Sequence, residues 1–151
     1  ENNITNWFIG YGTLLGVVRE NSCIDQDDDI DIIIHNIHYD VLKKCLQEHG
    51  FVFEYGYDIG NSTKILKTKQ SQNFASIDFY MASIDNKGNF HDEWEGVHWS
   101  NCYDESKQLI QRSWNNVTLN LPNNYEDKLI KRYGHDWRVP RDSWGTGNKN
   151  L

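Results

Sequence analysis

The sequence predicts a mixed α/β (α+β) domain with a small mixed β-sheet flanked by helices, and three observations carry that expectation. Short apolar runs with period-two alternation interleave with stretches of helical spacing. Their order is strand, helix, strand, helix, several strands, helix. The 151 residues contain no internal repeat or low-complexity linker, which fits a single domain spanning 1–151 with a real core.

Trp7 to Tyr11 is an apolar run that reads as a strand ending at Gly12, and Thr13 to Arg19 follows as a short helix with Thr13 near its N-cap. In Asp29 to Ile34, Asp29, Asp31 and Ile33 share one strand face, and Ile30, Ile32 and Ile34 the other. Tyr39 to His49 has an amphipathic stripe of Val41, Leu42, Cys45 and Leu46, stopped by Gly50. Phe51 to Tyr57 and Thr63 to Thr68 read as strands joined by a turn at Asp58 to Ser62, and Ala75 to Ala82 as another strand. On the last, Ser76, Asp78 and Tyr80 face away from Ala75, Ile77, Phe79 and Met81. Asp85 to Gly88 is a turn. Residues 89–115 have poor periodicity and read as a long irregular region. Val117 to Leu121 is a strand. Asn123 then caps a helix, with Glu126 completing a capping box and Gly134 ending it. The polar residues 145–151 read as a flexible tail.

Composition narrows the function. The net charge of −7 disfavours general binding to nucleic acid, which needs a basic surface. No apolar run approaches the ~20 residues that cross a bilayer. No signal peptide is visible, although the abrupt start at Glu1 leaves an upstream segment open. Cys23, Cys45 and Cys102 form no CxxC pair and lean towards a reducing compartment, whereas sequons at Asn3, Asn61 and Asn116 lean the other way.

The chemistry-bearing feature is an acidic run holding Asp25, Asp27, Asp28, Asp29 and Asp31. Such crowding is unfavourable unless cations or water relieve it. Two carboxylates one residue apart at a strand start can hold a divalent cation, and Mg²⁺ (or Mn²⁺) favours a few carboxylates plus substrate phosphates. Asp78 offers a third carboxylate, as ligand or as base for an acceptor hydroxyl. Gly12 and Thr13 stand at a helix N-terminus suited to phosphate, and Arg19 can add a phosphate fork. The rival readings are ordinary ones. The acidic run can be a solvated loop, Thr13 a plain cap, Arg19 a solvated helix residue and Asp78 an exposed strand residue. A calcium loop is disfavoured by Ile30 and Asn36 at the positions that need Gly and Glu. His91, His98 and Cys102 with Asp92 and Glu93 match no strong zinc spacing and read as ordinary loop residues.

The stretch from Gly12 to Ile32 resembles the signature of the LicD family, which includes fukutin and fukutin-related protein. Gly12-Thr13-Leu14-Leu15-Gly16, Arg19 and Asp27-Asp28-Asp29-Ile30-Asp31 match it, and Ile77-Asp78-Phe79 resembles the second acidic strand. Tyr133-Gly134, Asp136-Trp137 and Pro140 resemble the C-terminal ending, with His135 inserted. Asp25-Gln26 stands where the family usually has proline-tryptophan, and the family's usual helix before the first strand is missing.

The resemblance implies a nucleotidyltransferase-like fold and a phosphotransferase. It implies transfer of a phospho-alcohol, of phosphocholine or ribitol-phosphate type, from a CDP-linked donor to a glycan or glycoconjugate hydroxyl. Asp29, Asp31 and Asp78 would bind the metal, and Gly12, Thr13 and Arg19 the phosphates. A nucleotidyltransferase of the same fold and a non-catalytic glycan- or metal-binding domain are the alternatives. The compartment stays open: cytoplasmic in a bacterial or viral member, Golgi lumen in a eukaryotic secretory-pathway member.

Overall fold

The computed structural model describes residues 4–20, 29–56, 62–72, 75–139 and 145–151. In chain order the elements are β1 (Trp7–Ile9), α1 (Tyr11–Glu20), β2 (Asp29–His35), a 3₁₀ turn (Asn36–His38) and α2 (Tyr39–Glu48). There follow β3 (Ile65–Lys67), β4 (Ser76–Ile84), β5 (Phe90–Asp92), β6 (His98–Trp99), β7 (Ile110–Trp114), β8 (Val117–Leu121) and α3 (Tyr125–Tyr133). Among the described residues no helix is long and apolar enough to cross a membrane.

The fold is the expected mixed one. β2 and β4 form the centre of the sheet and run parallel, in register from Asp29↔Ser76 to His35↔Ala82. β1 lies antiparallel along the other edge of β2. The far edge of β4 is shared, with β3 pairing at Asp78 to Tyr80 and β5 at Ala82 to Ile84, both antiparallel. β6 pairs with β5. β7 and β8 make a separate hairpin. Its two-residue turn, Asn115-Asn116, has φ of 47° and 68°, the left-handed pair that suits the twist of the flanking strands.

Period-two alternation gives the central strands two buried faces. Ile33, Tyr80 and Ala82 join Leu14, Leu15 and Val17 of α1 and Leu129 of α3 in the larger core. Ile34, Phe79 and Met81 join Leu42 and Leu46 of α2 in the smaller one. Val41, placed in the helical stripe from sequence, is 45% exposed. The first face of β2 and β4 is apolar only from Ile33 and Tyr80 onward. Its earlier positions are Asp29, Asp31, Ser76 and Asp78, so the core ends in a polar floor.

Several expectations need correction. β1 stops at Ile9 and α1 begins at Tyr11, because Tyr11 adopts a left-handed φ of 47° that turns the chain at once. Described residues 51–56 form no strand. Phe53 makes a single bridge with Thr68, supported by Glu54 N–H to Lys67 O and Lys69 N–H to Val52 O. Residues 89–115 are not one irregular region: they contain β5, β6 and β7. These strands have 3, 2 and 5 residues, too short for a periodicity window to register. The cap of α3 is Asn124, left-handed and without a side-chain cap bond, so the expected Asn123–Glu126 box does not form. Instead, the Asn123 carbonyl accepts from Lys128 Nζ at 2.9 Å. Residues 145–151, expected to be a flexible tail, are docked. Leu151 is buried, Asn150 bridges to His98, and Arg132 Nη1 donates to Asn148 O.

Candidate functional site

The site begins where β1 gives way to α1. β1 covers only Ile32 to Ile34 of β2, so the backbone of Asp31 lies beyond its end. The start of α1 takes over: Gly10 N–H donates to Asp31 O at 3.1 Å, and Asp31 N–H donates to Thr13 Oγ1 at 2.7 Å. A tight corner is required, and Tyr11 supplies it at a backbone cost of roughly 1–2 kcal/mol for a non-glycine residue. Its ring packs edge-on against Tyr80 and Trp99, Arg132 lies over it, and its hydroxyl donates to Asp92 Oδ2 at 2.5 Å. Buried packing of this kind is what holds a strained residue in place.

Thr13 is thus buried and committed to Asp31, which makes it a positioning residue. Replacing it with Val leaves a buried N–H without an acceptor and is expected to lower stability by about 1–3 kcal/mol. Thr13→Ser should restore most of that loss. Denaturant unfolding of the two variants measures it; equal stability of Thr13→Val and the unaltered protein would show that this bond does not brace the strand.

Parallel pairing then brings the carboxylates together. Asp31 and Asp78 are register partners, and Asp29 stands beside Ser76 one step along the same face. The Ser76 hydroxyl donates to Asp29 Oδ1. The Tyr80 hydroxyl lies between the acidic pair, 3.3 Å from Asp31 Oδ1 and 3.5 Å from Asp78 Oδ2. Burial, followed by the carboxylates nearby, pushes the Tyr80 pKa up, so the group stays an O–H donor. From β3, Lys67 is the register partner of Asp78 on its other side. Its ammonium is 3.1 Å from Asp78 Oδ1 and 3.3 Å from Oδ2.

Burial raises the Asp78 pKa, and Lys67 only partly offsets it. Burial opposes the charge on Lys67 as well, but the Asp78 carboxylate outweighs that and leaves the lysine pKa raised. Because the folded pKa of Asp78 exceeds the unfolded one, the folded state binds the extra proton, and stability falls as pH rises between the two values. Lys67→Met removes the compensating charge. It is expected to cost about 1–3 kcal/mol at neutral pH and above, with the cost shrinking as pH falls through the raised pKa of Asp78, above the ordinary carboxylate range, and the carboxyl is protonated. Thermal melts across pH check this; a cost independent of pH would contradict it.

The predicted residues divide clearly. Asp29, Asp31 and Asp78 lie on one face of the paired strands, with Thr13 behind Asp31. Gly12 lies in the first turn of α1, half-buried. Arg19 is in the last turn, about 9 Å along the helix from Thr13 at 1.5 Å per residue, with Nη1 donating to Trp137 O at 3.3 Å. Asp25, Asp27 and Asp28 lie outside the described residues. Ser76, Tyr80 and Lys67 are additions from the structure. The alternation that placed Ser76 and Tyr80 on the face of Asp78 already pointed to them, whereas only the β3–β4 register identifies Lys67. Cys102 does not join a mixed zinc cluster, because its buried thiol donates to Trp99 O at 3.4 Å.

The donor set suits a hard cation. Among the described residues no three carboxylate, imidazole or thiolate groups converge as a ready-made metal centre. Mg²⁺ does not require one, since one or two carboxylates, water and substrate phosphates complete its shell. Asp31 and Asp78 form such a pair. Among the described residues, buried Asp78 Oδ1 has no hydrogen-bond partner, and the Lys67 ammonium lies 3.1 Å from it.

Comparison with solved structures defines the class. The chain is similar to the crystal structure of the lincosamide antibiotic adenylyltransferase LnuA bound to lincomycin, with a TM-score of 0.54 and 14% identity over 87% of this chain and 77% of that one. At that identity the likeness establishes the fold: this is a nucleotidyltransferase-fold domain. The family is more particular. Residues 3–124 match the family described as LicD/FKTN/FKRP, nucleotidyltransferase domain, and the chain belongs to it. The match spans β1 to β8 and stops before α3. No curated protein matches the sequence.

Proposed function

We propose that this chain is a metal-dependent phosphotransferase. It moves a phospho-alcohol, of phosphocholine or ribitol-phosphate type, from a CDP-activated donor to a glycan hydroxyl. The observation that carries the reading is the register pairing of Asp31 with Asp78, with Asp29 on the same face and Lys67 on the flank. Family membership supports a transferase on this fold.

Asp29, Asp31 and Asp78 would hold Mg²⁺ or Mn²⁺, which supplies charge neutralisation of the donor diphosphate. The chain's own groups account for the rest. The first-turn N–H groups of α1 around Gly12 offer an anion site, and Thr13 fixes Asp31 in place. The raised pKa of Asp78 suits it to receive the acceptor's proton. The acceptor oxygen forms a bond to the phosphorus that carries the alcohol. The bond from that phosphorus to the bridging oxygen breaks, and CMP leaves with the electron pair. Lys67 moderates the charge on Asp78 and is placed to meet a phosphate oxygen. Arg19 is assigned to phosphate by its guanidinium fork and by the family resemblance.

The likeness to an adenylyltransferase favours a second reading, nucleotidyl transfer on the same scaffold. Product analysis separates them. Release of CMP with a phosphorylated glycan supports the phosphotransferase, and release of pyrophosphate from a nucleoside triphosphate supports the alternative. Ligand binding without turnover of any donor would leave a binding domain.

A further inference from the structure

The β5–β6 hairpin carries two histidines that the transfer site does not use. His91 and His98 are register partners across the antiparallel strands. Their neighbours Phe90, Asp92 and Trp99 are buried, so alternation sends both imidazoles to the opposite face. The ring centroids are 4.3 Å apart and the two Nδ1 atoms 3.0 Å apart. On its other side, His91 Nε2 is 3.1 Å from Asp85 Oδ2. Asp85 is itself fixed by the turn: its Oδ1 accepts from the N–H groups of Lys87 and Asn89, at 2.9 Å each. As a carboxylate Asp85 can only accept, so the hydrogen in its 3.1 Å contact belongs to His91 Nε2. With Nε2 as the donor to Asp85, a neutral His91 ring presents a lone pair at Nδ1. In that tautomer the 3.0 Å contact is a hydrogen bond donated by His98 Nδ1.

We infer that His91 and His98 form a two-imidazole chelate for a borderline divalent ion of the Zn²⁺, Ni²⁺ or Cu²⁺ type, with Asp85 orienting the first ligand. Three features support it. With metal–nitrogen bonds of about 2.0–2.1 Å, two nitrogens on one ion at right-angled to tetrahedral geometry stand roughly 2.9–3.4 Å apart, and the observed separation of 3.0 Å lies in that range. A carboxylate bonded to the far nitrogen of a ligating histidine is the usual support of such ligands. Imidazole also selects a different class of ion from the carboxylate pair, because Mg²⁺ takes oxygen. On binding, the His98 ring proton moves from Nδ1 to Nε2. Both rings stay neutral, the metal replaces the N–H···N bond, and nothing is oxidised. Water fills the remaining positions, since no third ligand converges among the described residues. The ion would also clamp the hairpin that holds the chain's end, where His98 N–H donates to Lys149 O and Leu151 N–H to His98 O.

Titration of the chelator-treated full chain with Cu²⁺ at neutral pH, read by electron paramagnetic resonance, tests the site; calorimetry with Zn²⁺ runs beside it. The expected result is one strongly bound Cu²⁺ with coupling to two nitrogens, and a Zn²⁺ isotherm of the same stoichiometry. Both should be lost in His91→Gln and in His98→Gln. Asp85→Asn should weaken binding by about 10–100-fold, and Asp78→Asn should leave it intact, which separates this site from the carboxylate site. Circular dichroism of the metal-free variants checks that they fold. Absence of binding, binding unchanged in either histidine variant of intact fold, or binding lost in Asp78→Asn would overturn the inference.

Discussion

Asp31→Asn is expected to abolish transfer while leaving the fold intact. The side chain loses its charge but keeps its shape, and the backbone bonds to Gly10 and Thr13 remain. A bound cation contributes several kcal/mol of charge stabilisation. At 1.36 kcal/mol per tenfold, losing a ligand to it lowers turnover by roughly 10³-fold or more. Asp78→Asn should produce a loss of similar size by removing both a ligand and the proton acceptor. Its melting temperature should hold or rise, because a buried carboxylate with a raised pKa is a destabilising charge above its unfolded pKa. Metal-dependent turnover and thermal melts of the same preparations separate lost chemistry from lost fold. Full activity in either variant would remove the carboxylate pair from the mechanism.

Trp99→Ala is expected to have the largest effect on stability. Trp99 is 1% exposed and packs edge-on against Phe8 at 5.2 Å and Tyr11 at 5.4 Å. Emptying such a site costs about 3–5 kcal/mol, or roughly 6–20 °C in melting temperature for a chain of this size. The damage should extend to function, because Tyr11 is held in its strained conformation by Trp99 and Tyr80, and Tyr80 touches both acidic side chains. Calorimetric unfolding checks the first part. A shift of only a few degrees would show that the aromatic chain is not the framework of the site.

Much of this was readable from the residues. The alternation of Asp29 to Ile34 set the shared face of Asp29 and Asp31, and the same period placed Ser76, Asp78 and Tyr80 together. Alternation of side chains is a local property of extended backbone and needs no knowledge of the partner strands. What stayed hidden was pairing. Nothing near Lys67 says that β3 will lie antiparallel to β4 and bring its ammonium to Asp78. The role of Thr13 was hidden for a related reason: it depends on β1 ending one residue short of Asp31, a register fact. The strands in residues 89–115 escaped notice because 2 to 5 residues of mixed polarity do not define a period. The docked C-terminus escaped because its stability comes from one buried leucine, Leu151, and backbone bonds to β6, neither of which a polar composition reveals.

In the proposed mechanism Asp31 and Asp78 hold a donor diphosphate through a divalent cation. Thermal shift of the intact chain with a panel of CDP-linked alcohols, with and without Mg²⁺ or Mn²⁺, tests it most directly. Stabilisation is expected only when donor and metal are both present, growing with ligand concentration as RT ln(1 + [L]/Kd) and absent in Asp31→Asn. Equal stabilisation without metal, or undiminished stabilisation of Asp31→Asn, would contradict it.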